Sequence, residues 1–392
     1  MAHGRILIAG GGIGGLAAAL ALAQKGIGSL VLEKASQLGE IGAGIQLGPN
    51  AFHCFDRLGV GEAARAMAVY IDHLFLMDAM ADGEITRIDL GEAFRARYRN
   101  PYAVVHRGDL HGVLLKACRA HPLIELEVSS EVSGYDQDGS TVTARLGNGR
   151  SVRGSALIGA DGLWSSVRRL VVGDGAPRVS GHTTYRSVIP TEQMPEELRW
   201  NAATLWAGPK CHIVHYPLSG WKVFNLVVTY HNDAPEPVAG KPVPVEEVRR
   251  GFAHVCERAQ NIIRHGVDWK MWVLCDRDPV DRWIDGNVAL LGDAAHPMLQ
   301  YMAQGACMAM EDAVCLADAL ATHDTMAAGL ENYRARRVLR TTRVQLMSRA
   351  MGDHVYHPAG PHAALRNAIM SAKSQSDWYA TLDWLYGGSG LD

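Results

Sequence analysis

A glycine-rich segment at residues 10–15 carries the clearest chemical signal in the sequence. It reads Gly-Gly-Gly-Ile-Gly-Gly and follows a short apolar segment of the length typical of a buried strand. Gly10 allows a tight turn, Gly12 lets the backbone approach a pyrophosphate, and Gly15 lets the following helix pack closely against the strand. A helix beginning near Ile13 would direct its free amide groups at the phosphates. The segment therefore predicts a dinucleotide-binding site.

An acidic residue follows at the distance that such a site requires. Residues 16–24 are rich in alanine and leucine and predict a helix, and residues 29–32 predict a second buried strand. Glu33 ends that strand, eighteen residues after Gly15, where a carboxylate can accept hydrogen bonds from both hydroxyl groups of an adenosine ribose. A glycine-rich turn alone is weak support because such turns also serve structure, but here strand, helix and acid occur together.

Two further apolar segments each end in an acidic residue. Residues 156–160 lead to Asp161, and residues 288–292 lead to Asp293. Either aspartate by itself could be a helix cap. Because both accompany the glycine-rich turn, they predict strands that deliver an acid to a bound ligand.

These segments resemble, in order and approximate spacing, the class A flavoprotein monooxygenases, and the resemblance spans about residues 5–320. It implies an α/β fold with a Rossmann-like FAD-binding domain of the para-hydroxybenzoate hydroxylase type. It also implies that Asp293 contacts the ribityl chain of FAD and that Asp161 serves both FAD and a passing nicotinamide cofactor. The segment at Arg107 looks like the family's Arg-x-Asp-Leu helix start, so Arg107 is expected at the FAD pyrophosphate, which a guanidinium can bind with two parallel hydrogen bonds.

The helix predicted over about residues 306–320 should face the flavin ring. Its first amides and its dipole could stabilise a partly negative flavin edge, so Gly305 and Ala306 are expected near the isoalloxazine. The sequence has no second glycine-rich strand-turn-helix unit, which disfavours a separate nicotinamide domain and implies that NADH or NADPH binds transiently. No histidine or cysteine cluster has metal-ligand spacing, so we expect no metal, and the flavin must carry the oxygen chemistry.

The stretch between the two acidic segments predicts a mixed or antiparallel substrate-binding sheet. Strand-like patterns occur at residues 183–189, 211–217 and 222–230. Period-two alternation places His212 on the same face as Tyr216, and His215 on the other face. Histidine titrates near neutral pH and suits the removal of a phenolic proton. Tyrosine is a neutral donor for a substrate carboxylate.

Gln300 lies between the second acidic strand and the flavin-facing helix, where members of this family place the substrate. Many relatives have proline at this position. With His212 and Tyr216, the departure resembles the members that hydroxylate 3-hydroxybenzoate at position 6 rather than salicylate hydroxylases. That resemblance implies that His212 and Gln300 activate the phenol while Tyr216 helps to hold the acid or ring, although an isolated strand histidine is more often structural. Gln46 or Leu47, in a loop that also matches the family, could shape the pocket.

The resemblance implies a complete reaction. NADH would reduce FAD, dioxygen would form a flavin hydroperoxide, and one oxygen atom would enter para to the phenol of 3-hydroxybenzoate to give 2,5-dihydroxybenzoate. A pocket that excludes water is required. The alternatives are hydroxylation of salicylate or 6-hydroxynicotinate, with or without decarboxylation, and, from a different class, a non-catalytic flavin redox sensor.

The length of 392 residues predicts more than one domain. We expect a discontinuous FAD-binding domain at residues 1–175 and 275–320, an inserted mixed β-sheet substrate domain at 176–274, and a helical C-terminal segment at 321–392. The aromatic residues near positions 378–386 could close the pocket, support a homodimer or pack in a core, and core packing is the favoured use.

Composition excludes several classes of partner. The formal net charge is -3, with both signs interspersed, which disfavours nucleic acid and anionic membranes and favours a small molecule. The seven cysteines lack paired ligand spacing and are odd in number, which argues against a disulfide framework and favours a cytoplasmic setting.

Overall fold

The computed structural model describes residues 4–39, 44–388 and 391. In chain order the strands are β1 (Ile6–Ala9), β2 (Ser29–Leu32), β3 (Gly44–Leu47), β4 (Val69–Tyr70), β5 (His73–Asp78), β6 (Gly83–Asp89), β7 (Ala103–His106), β8 (Ile124–Glu127), β9 (Val132–Asp138), β10 (Thr141–Leu146), β11 (Ser151–Gly154), β12 (Ala156–Gly159), β13 (Arg178–Pro190), β14 (Ala202–Gly208), β15 (Cys211–Leu218), β16 (Val223–His231), β17 (Lys241–Pro242), β18 (Val267–Asp276), β19 (Ile284–Asp285) and β20 (Val288–Leu290). The α-helices are α1 (Ile13–Gln24), α2 (Pro49–Arg57), α3 (Gly61–Met67), α4 (Glu92–Tyr98), α5 (Arg107–Ala120), α6 (Ser166–Val171), α7 (Val245–Gly251), α8 (Glu257–Arg264), α9 (Gly305–Thr322), α10 (Met326–Met351), α11 (Gly360–Ser371) and α12 (Gln375–Tyr386).

The first sheet carries the glycine-rich turn. Its strand order is β19-β20-β12-β1-β2-β8, and all neighbours pair in parallel except β19 with β20. The apolar strands β1, β2, β12 and β20 are wholly buried, as expected where both faces of a parallel sheet are covered. Because β20, β12 and β1 are adjacent and parallel, Gly10, Asp161 and Asp293 all lie beyond the same edge of the sheet.

Helix α1 explains the long uncharged segment near the start of the sequence. Nearly all of its residues are buried, because it packs against β1, β2, α5 and α9. A helix enclosed on several sides needs no polar face.

The second sheet is mixed, as predicted, and has the order β17-β18-β13-β16-β15-β14-β5-β6. Its neighbouring strands are antiparallel except for β14 and β5, which pair in parallel. The strands β5 and β6 come from residues 73–89, outside the range from which the sequence predicted this sheet. Their alternation gave no sign of the partner strand, which is more than a hundred residues away in the chain.

The C-terminal segment is helical, as predicted. Helix α10 packs on α9, a single π-helical turn (Gly352–Tyr356) follows it, and α11 and α12 both contact β6. The aromatic residues of α12 are mostly buried in a core shared with β4, β7 and α4. Within residues 4–39 and 44–388, no helix is both long and apolar enough to cross a membrane.

Candidate active site

A single cavity of about 890 Å³ extends from the carboxyl edge of the first sheet to one face of the second. This volume is in the range of sites that enclose organic ligands. Two residues of the predicted site are not on its wall: Gly15 lies inside helix α1 and Leu47 lies in the hydrophobic core. The cavity wall includes the others, namely Gly10, Gly12, Ile13, Glu33, Gln46, Arg107, Asp161, His212, Tyr216, Asp293, Gln300, Gly305 and Ala306.

The glycine-rich turn fits a pyrophosphate because side chains are excluded from it. Gly10 has a φ of +103°, and a Cβ there would lie 2.4 Å from the carbonyl oxygen of Ala160. A Cβ on Gly15 would lie 2.0 Å from the carbonyl oxygen of Gly10. Gly12 is the N-cap of α1, which begins at Ile13. The bare backbone and the helix start therefore form an anion-binding cradle.

Glu33 closes the far side of this cradle. Its carboxylate accepts hydrogen bonds from the backbone amides of Gly11, at 2.7 Å, and Ala35, at 2.8 Å. Each carboxylate oxygen has a second lone pair, so these bonds fix the side chain and leave it able to accept ribose hydroxyl groups.

Asp161 caps a helix, which is the role that the sequence favoured less than ligand binding. Its carboxylate accepts hydrogen bonds from the Ser165 hydroxyl and from the backbone amides of Ser166, at 2.8 Å, and Val167, at 3.3 Å. These bonds stabilise the start of α6. Burial raises the pKa of Asp161, and the bonds from Ser165 and the amides partly offset that effect. The residue also lies on the cavity wall, so capping and ligand contact are compatible here.

Asp293 differs from Asp161 because its side chain is exposed. It lies in the part of the cavity beside the glycine-rich turn at residues 10–15, which we call the groove. Its Oδ1 lies 3.8 Å from the position of a Cβ on Gly305, the first residue of α9. Arg107 is the first residue of α5 and also lines the groove. A carboxylate, a guanidinium and two helix starts thus face one space.

A buried ion-pair network behind α9 was not predicted from the sequence. Glu311 accepts hydrogen bonds from Arg337 at 2.7 Å, from Arg340 at 2.7 and 2.8 Å, and from the Asn50 amide at 2.7 Å. Asp312 accepts from Arg337 at 2.7 Å. Two acids and two arginines balance each other, which is the condition for burying charge.

The same network reaches both ends of the cavity. Asp312 accepts a hydrogen bond from the amide of Gly292 at 3.0 Å and contacts His296 at 2.5 Å. Burial raises the pKa of Asp312, but His296 and Arg337 outweigh burial and lower it to about 2. Arg340 also donates to the carbonyl oxygens of Trp384 and Leu385 at the end of α12. The loop at Asp293 and the C-terminal wall are therefore held to the same helix.

One face of β15 lines the cavity. His212 and Tyr216 line it and are 2 % and 3 % exposed, whereas His215 faces a separate core, where its Nε2 accepts a hydrogen bond from Trp206 at 3.2 Å. The alternation predicted from the sequence is confirmed. Burial raises the pKa of Tyr216 above its ordinary value, so its hydroxyl is a neutral donor.

His212 has a partner that the sequence did not indicate. Its Nδ1 lies 2.8 Å from Nε2 of His357, which is 145 residues further along the chain. Burial, and then the neighbouring His357 and His182, lower the pKa of His212 well below its ordinary value. His212 is therefore a neutral imidazole in the cavity wall.

Gln300 is held in place by the second sheet. Its Oε1 accepts a hydrogen bond from Arg186 at 2.9 Å, and its Nε2 donates to the hydroxyls of Thr184, at 3.2 Å, and Thr229, at 3.3 Å. Arg186 also lines the cavity and was not singled out from the sequence. Burial lowers the pKa of Arg186, with Arg107 adding to the effect and Tyr216 opposing it.

The side chains of Gln46 and Leu47 lie on opposite faces of β3, as those of neighbouring residues in a strand do. Gln46 faces the cavity and accepts a hydrogen bond from the Tyr102 hydroxyl at 2.8 Å. Leu47 is fully buried on the opposite face of β3, among core residues. Of these two candidates, the structure brings only Gln46 to the pocket, because successive side chains of a strand point to opposite faces.

The C-terminal helix completes the wall. Trp378, Trp384, Leu385 and Tyr386 line the cavity, and two of them, Leu385 and Tyr386, also belong to a hydrophobic core. Pocket closure and core packing are therefore both uses of this segment. Among the residues that the structure describes, no group of three or more potential ligand side chains could hold a metal ion.

A parallel sheet with a glycine-rich turn and two acids at its edge, facing a mixed sheet across one cavity, is the architecture of class A flavoprotein monooxygenases. A sequence model described as the FAD binding domain matches residues 4–348, and the chain belongs to this family. The prediction of FAD as the cofactor is confirmed.

Several relatives match almost the entire chain. The 3-hydroxybenzoate 6-hydroxylase 1 of Aquipseudomonas alcaligenes is 55% identical over 98% of this chain and 98% of its own length. The 3-hydroxybenzoate 6-hydroxylase of Polaromonas naphthalenivorans is 48% identical over 97% of this chain and 95% of its own. Among solved structures, Klebsiella pneumoniae HpxO complexed with FAD and uric acid has a TM-score of 0.83 at 25% identity, covering 96% of this chain and 95% of that one.

Proposed function

We propose that this protein is an FAD-dependent monooxygenase that hydroxylates 3-hydroxybenzoate para to its phenol and releases 2,5-dihydroxybenzoate. The observation that carries the proposal is the 55% identity, over nearly the whole chain, to a relative of that name. The cavity supports it independently, since a neutral histidine, a buried tyrosine and a fixed glutamine face the same space. Electrons would come from NADH or NADPH, and dioxygen is the second substrate.

We assign the groove end of the cavity to FAD. Gly10, Gly12 and the start of α1 at Ile13 would bind the pyrophosphate, with Gly15 letting that helix approach, and Arg107 would add a guanidinium. Glu33 would accept the hydroxyls of the adenosine ribose. The remaining groove residues, which would contact the ribityl chain and the flavin ring, are Asp161, Asp293, Gly305 and Ala306.

Bound FAD supplies the electrophilic oxygen after its reduction and reaction with dioxygen. The protein's part is to make the ring a better nucleophile by drawing the proton from the substrate phenol. His212 is suited to accept this proton because burial keeps it neutral. Tyr216 would donate to the carboxylate or ring substituent of the substrate.

Gln300 would position the phenol rather than move its proton. Both ends of its amide are bound by Arg186 and two threonine hydroxyls, so its orientation is set before the substrate arrives. The carbonyl oxygen has a second lone pair that could accept from the phenol. Gln46 would border the ring, and Leu47 would support it from the core.

Exclusion of water is the other task of the pocket. Trp378, Trp384, Leu385 and Tyr386 cover the cavity from the C-terminal side. An apolar wall limits the access of water to the reacting centre and favours productive use of the reduced cofactor.

We retain the proposed division into an FAD-binding domain, a substrate sheet and a C-terminal segment, with residues 73–89 added to the substrate sheet. An enzyme that consumes NADH works where that cofactor is available, so we propose a cytoplasmic location. The buried network around Glu311 would hold these parts in fixed positions relative to one another.

The direct test is NADH oxidation by the FAD-loaded protein with 3-hydroxybenzoate, salicylate and 6-hydroxynicotinate in parallel, with oxygen uptake and product identification. Selective formation of 2,5-dihydroxybenzoate, matched to the NADH consumed, is the expected result. Coupled turnover of another acid would overturn the substrate assignment. An absence of substrate-stimulated oxidation with any of them would favour the redox sensor.

A further inference from the structure

Four histidines form a row from the cavity to the surface. His212 is 2 % exposed and hydrogen-bonds His357 at 2.8 Å. The His357 ring meets that of His182 at a centroid distance of 5.1 Å, and His182 meets His231 at 4.2 Å. The side chain of His231 is 33 % exposed. The row thus connects the wall of the substrate pocket to solvent.

Two backbone bonds fix the row. The amide of Lys210 donates to the carbonyl oxygen of His357 at 3.0 Å, and the amide of His231 donates to the carbonyl oxygen of Lys210 at 2.8 Å. His357 itself follows the π-helical turn at the end of α10, and its amide donates to Gly352 at 3.0 Å. The position of His357 is therefore set by Lys210, which directly precedes the strand that carries His212, and by the preceding turn.

The inner part of the row is uncharged near neutral pH. Burial, and then His182 and His231, lower the pKa of His357 to about 3. Burial, and then His231, lower the pKa of His182 to about 4. The other titratable or charged groups that contact or face these rings are Tyr301, Tyr356, Arg178, Asp233 and Asp353.

A pair of neutral histidines can transfer a proton without leaving a positive charge on either ring. In a neutral imidazole one nitrogen is a donor and the other an acceptor. If His212 kept the phenolic proton, a buried imidazolium without a carboxylate partner would result, and burial opposes this. Passing a different proton onward from the opposite ring nitrogen avoids that cost.

We propose that His357 is the second member of a proton relay that deprotonates the substrate phenol, an inference that rests on the proposed function. The O–H bond of the phenol breaks as Nε2 of His212 gains that proton. The Nδ1–H bond of His212 breaks as Nε2 of His357 gains the second proton. His357 then releases the proton on its own Nδ1 along the ring contacts with His182 and His231 to solvent, which is the final acceptor. Each ring ends neutral, and the phenolate remains in the pocket until the reverse transfer returns a proton to the product.

His357→Gln tests the relay because a glutamine oxygen can still accept the hydrogen bond from His212 but cannot pass a proton on. We expect the rate of coupled hydroxylation to fall by about 10- to 100-fold, up to the lower end of the usual effect of a general base. FAD content and KM should change little. The lost rate should return as the pH approaches the phenol's own pKa, near 10 as for tyrosine, because the substrate then arrives ionised. His215→Gln, on the opposite face of β15, is the matched control and should keep wild-type activity.

The wild-type enzyme is measured first, so that two failures are distinguished. If it forms no 2,5-dihydroxybenzoate, the proposed function is wrong whatever the variant does. If it does, and His357→Gln hydroxylates at the same rate with the same pH profile, the relay is wrong and His357 only positions His212.

A second measurement serves if His357→Gln fails to retain FAD. Single-turnover hydroxylation by the wild-type enzyme in mixtures of H2O and D2O reports how many protons move together. Two coupled transfers predict a rate that curves with the deuterium fraction. A strictly linear dependence would contradict the relay.

Discussion

The FAD groove and the substrate pocket share one cavity but differ in the chemical groups that line them. The groove combines a backbone turn without side chains with the charged Glu33, Arg107 and Asp293. It is backed by the ion-paired network of Glu311, Asp312, Arg337 and Arg340. The pocket wall is made chiefly of side chains that are uncharged near neutral pH, namely His212, Tyr216 and Gln300, although Arg186 also lines it beside Gln300. Charges that neutralise each other hold geometry fixed, whereas uncharged imidazoles can exchange protons. We therefore assign the holding of the cofactor and the movement of the proton to separate groups.

The contrast shows in the buried titratable residues of each region. Asp312 is ionised because His296 and Arg337 outweigh its burial. His357 has no such compensation, and burial followed by His182 and His231 lowers its pKa to about 3. Burial therefore accompanies a fixed charge in one region and a neutral ring in the other.

The largest effect should come from filling the backbone turn. In Gly15→Ala the new Cβ would meet the carbonyl oxygen of Gly10 at 2.0 Å, so α1 must move away from β1. We expect the affinity for FAD to fall about 100-fold, equivalent to about 2.7 kcal/mol, measured by fluorescence titration of the apoprotein. Gly112→Ala is the matched control, since a Cβ there meets nothing within 4 Å. Equal FAD affinities of the two variants would contradict a role of the glycine-rich turn in binding FAD.

The second-largest effect should come from disrupting the ion-pair network. Arg337→Ala leaves Glu311 and Asp312 partly uncompensated in the interior, and we expect the free energy of unfolding to fall by about 3 to 5 kcal/mol, measured by urea denaturation. Arg334→Ala, in the same helix, removes the more exposed pair with Glu331 and a hydrogen bond to the carbonyl oxygen of Asp281 at 3.3 Å, and should cost about 1 kcal/mol or less. Similar losses from the two variants would show that the network is not what holds α9.

The free energy of unfolding should fall at acidic pH because buried histidines are neutral in the folded protein. Burial lowers the pKa of His215 to about 3, below the value near 6.5 of an unfolded chain. Its contribution to stability is therefore complete above about pH 6.5 and is lost as the pH falls toward 3, by up to about 1.4 kcal/mol per pH unit. In urea denaturation between about pH 7 and pH 4.5, His215→Gln should show a shallower loss than wild type. The exposed His362→Gln should follow wild type, and a similar change in slope from it would count against burial as the cause.

The two regions also differ in how far the sequence predicts them. The glycine-rich turn, Glu33 and the Gly292-Asp293 segment follow from local spacing, because a backbone cradle is made by neighbours in the chain. Strand alternation likewise placed His212 and Tyr216 on one face. His357, Arg186 and the Glu311 network had no local signal, since their partners are brought together only by folding across 26 to 261 residues. Leu47 was a pocket candidate because the sequence did not indicate which face of β3 meets the core.

The central claim is that a neutral His212 activates the substrate while other residues hold the cofactor. The most direct measurement is single-turnover hydroxylation of 3-hydroxybenzoate by His212→Gln and by His215→Gln, each first reduced with NADH and checked for FAD content. We expect His212→Gln to keep its FAD but to form product about 100-fold more slowly, whereas His215→Gln should match wild type. Wild-type rates from His212→Gln across the pH range would contradict it.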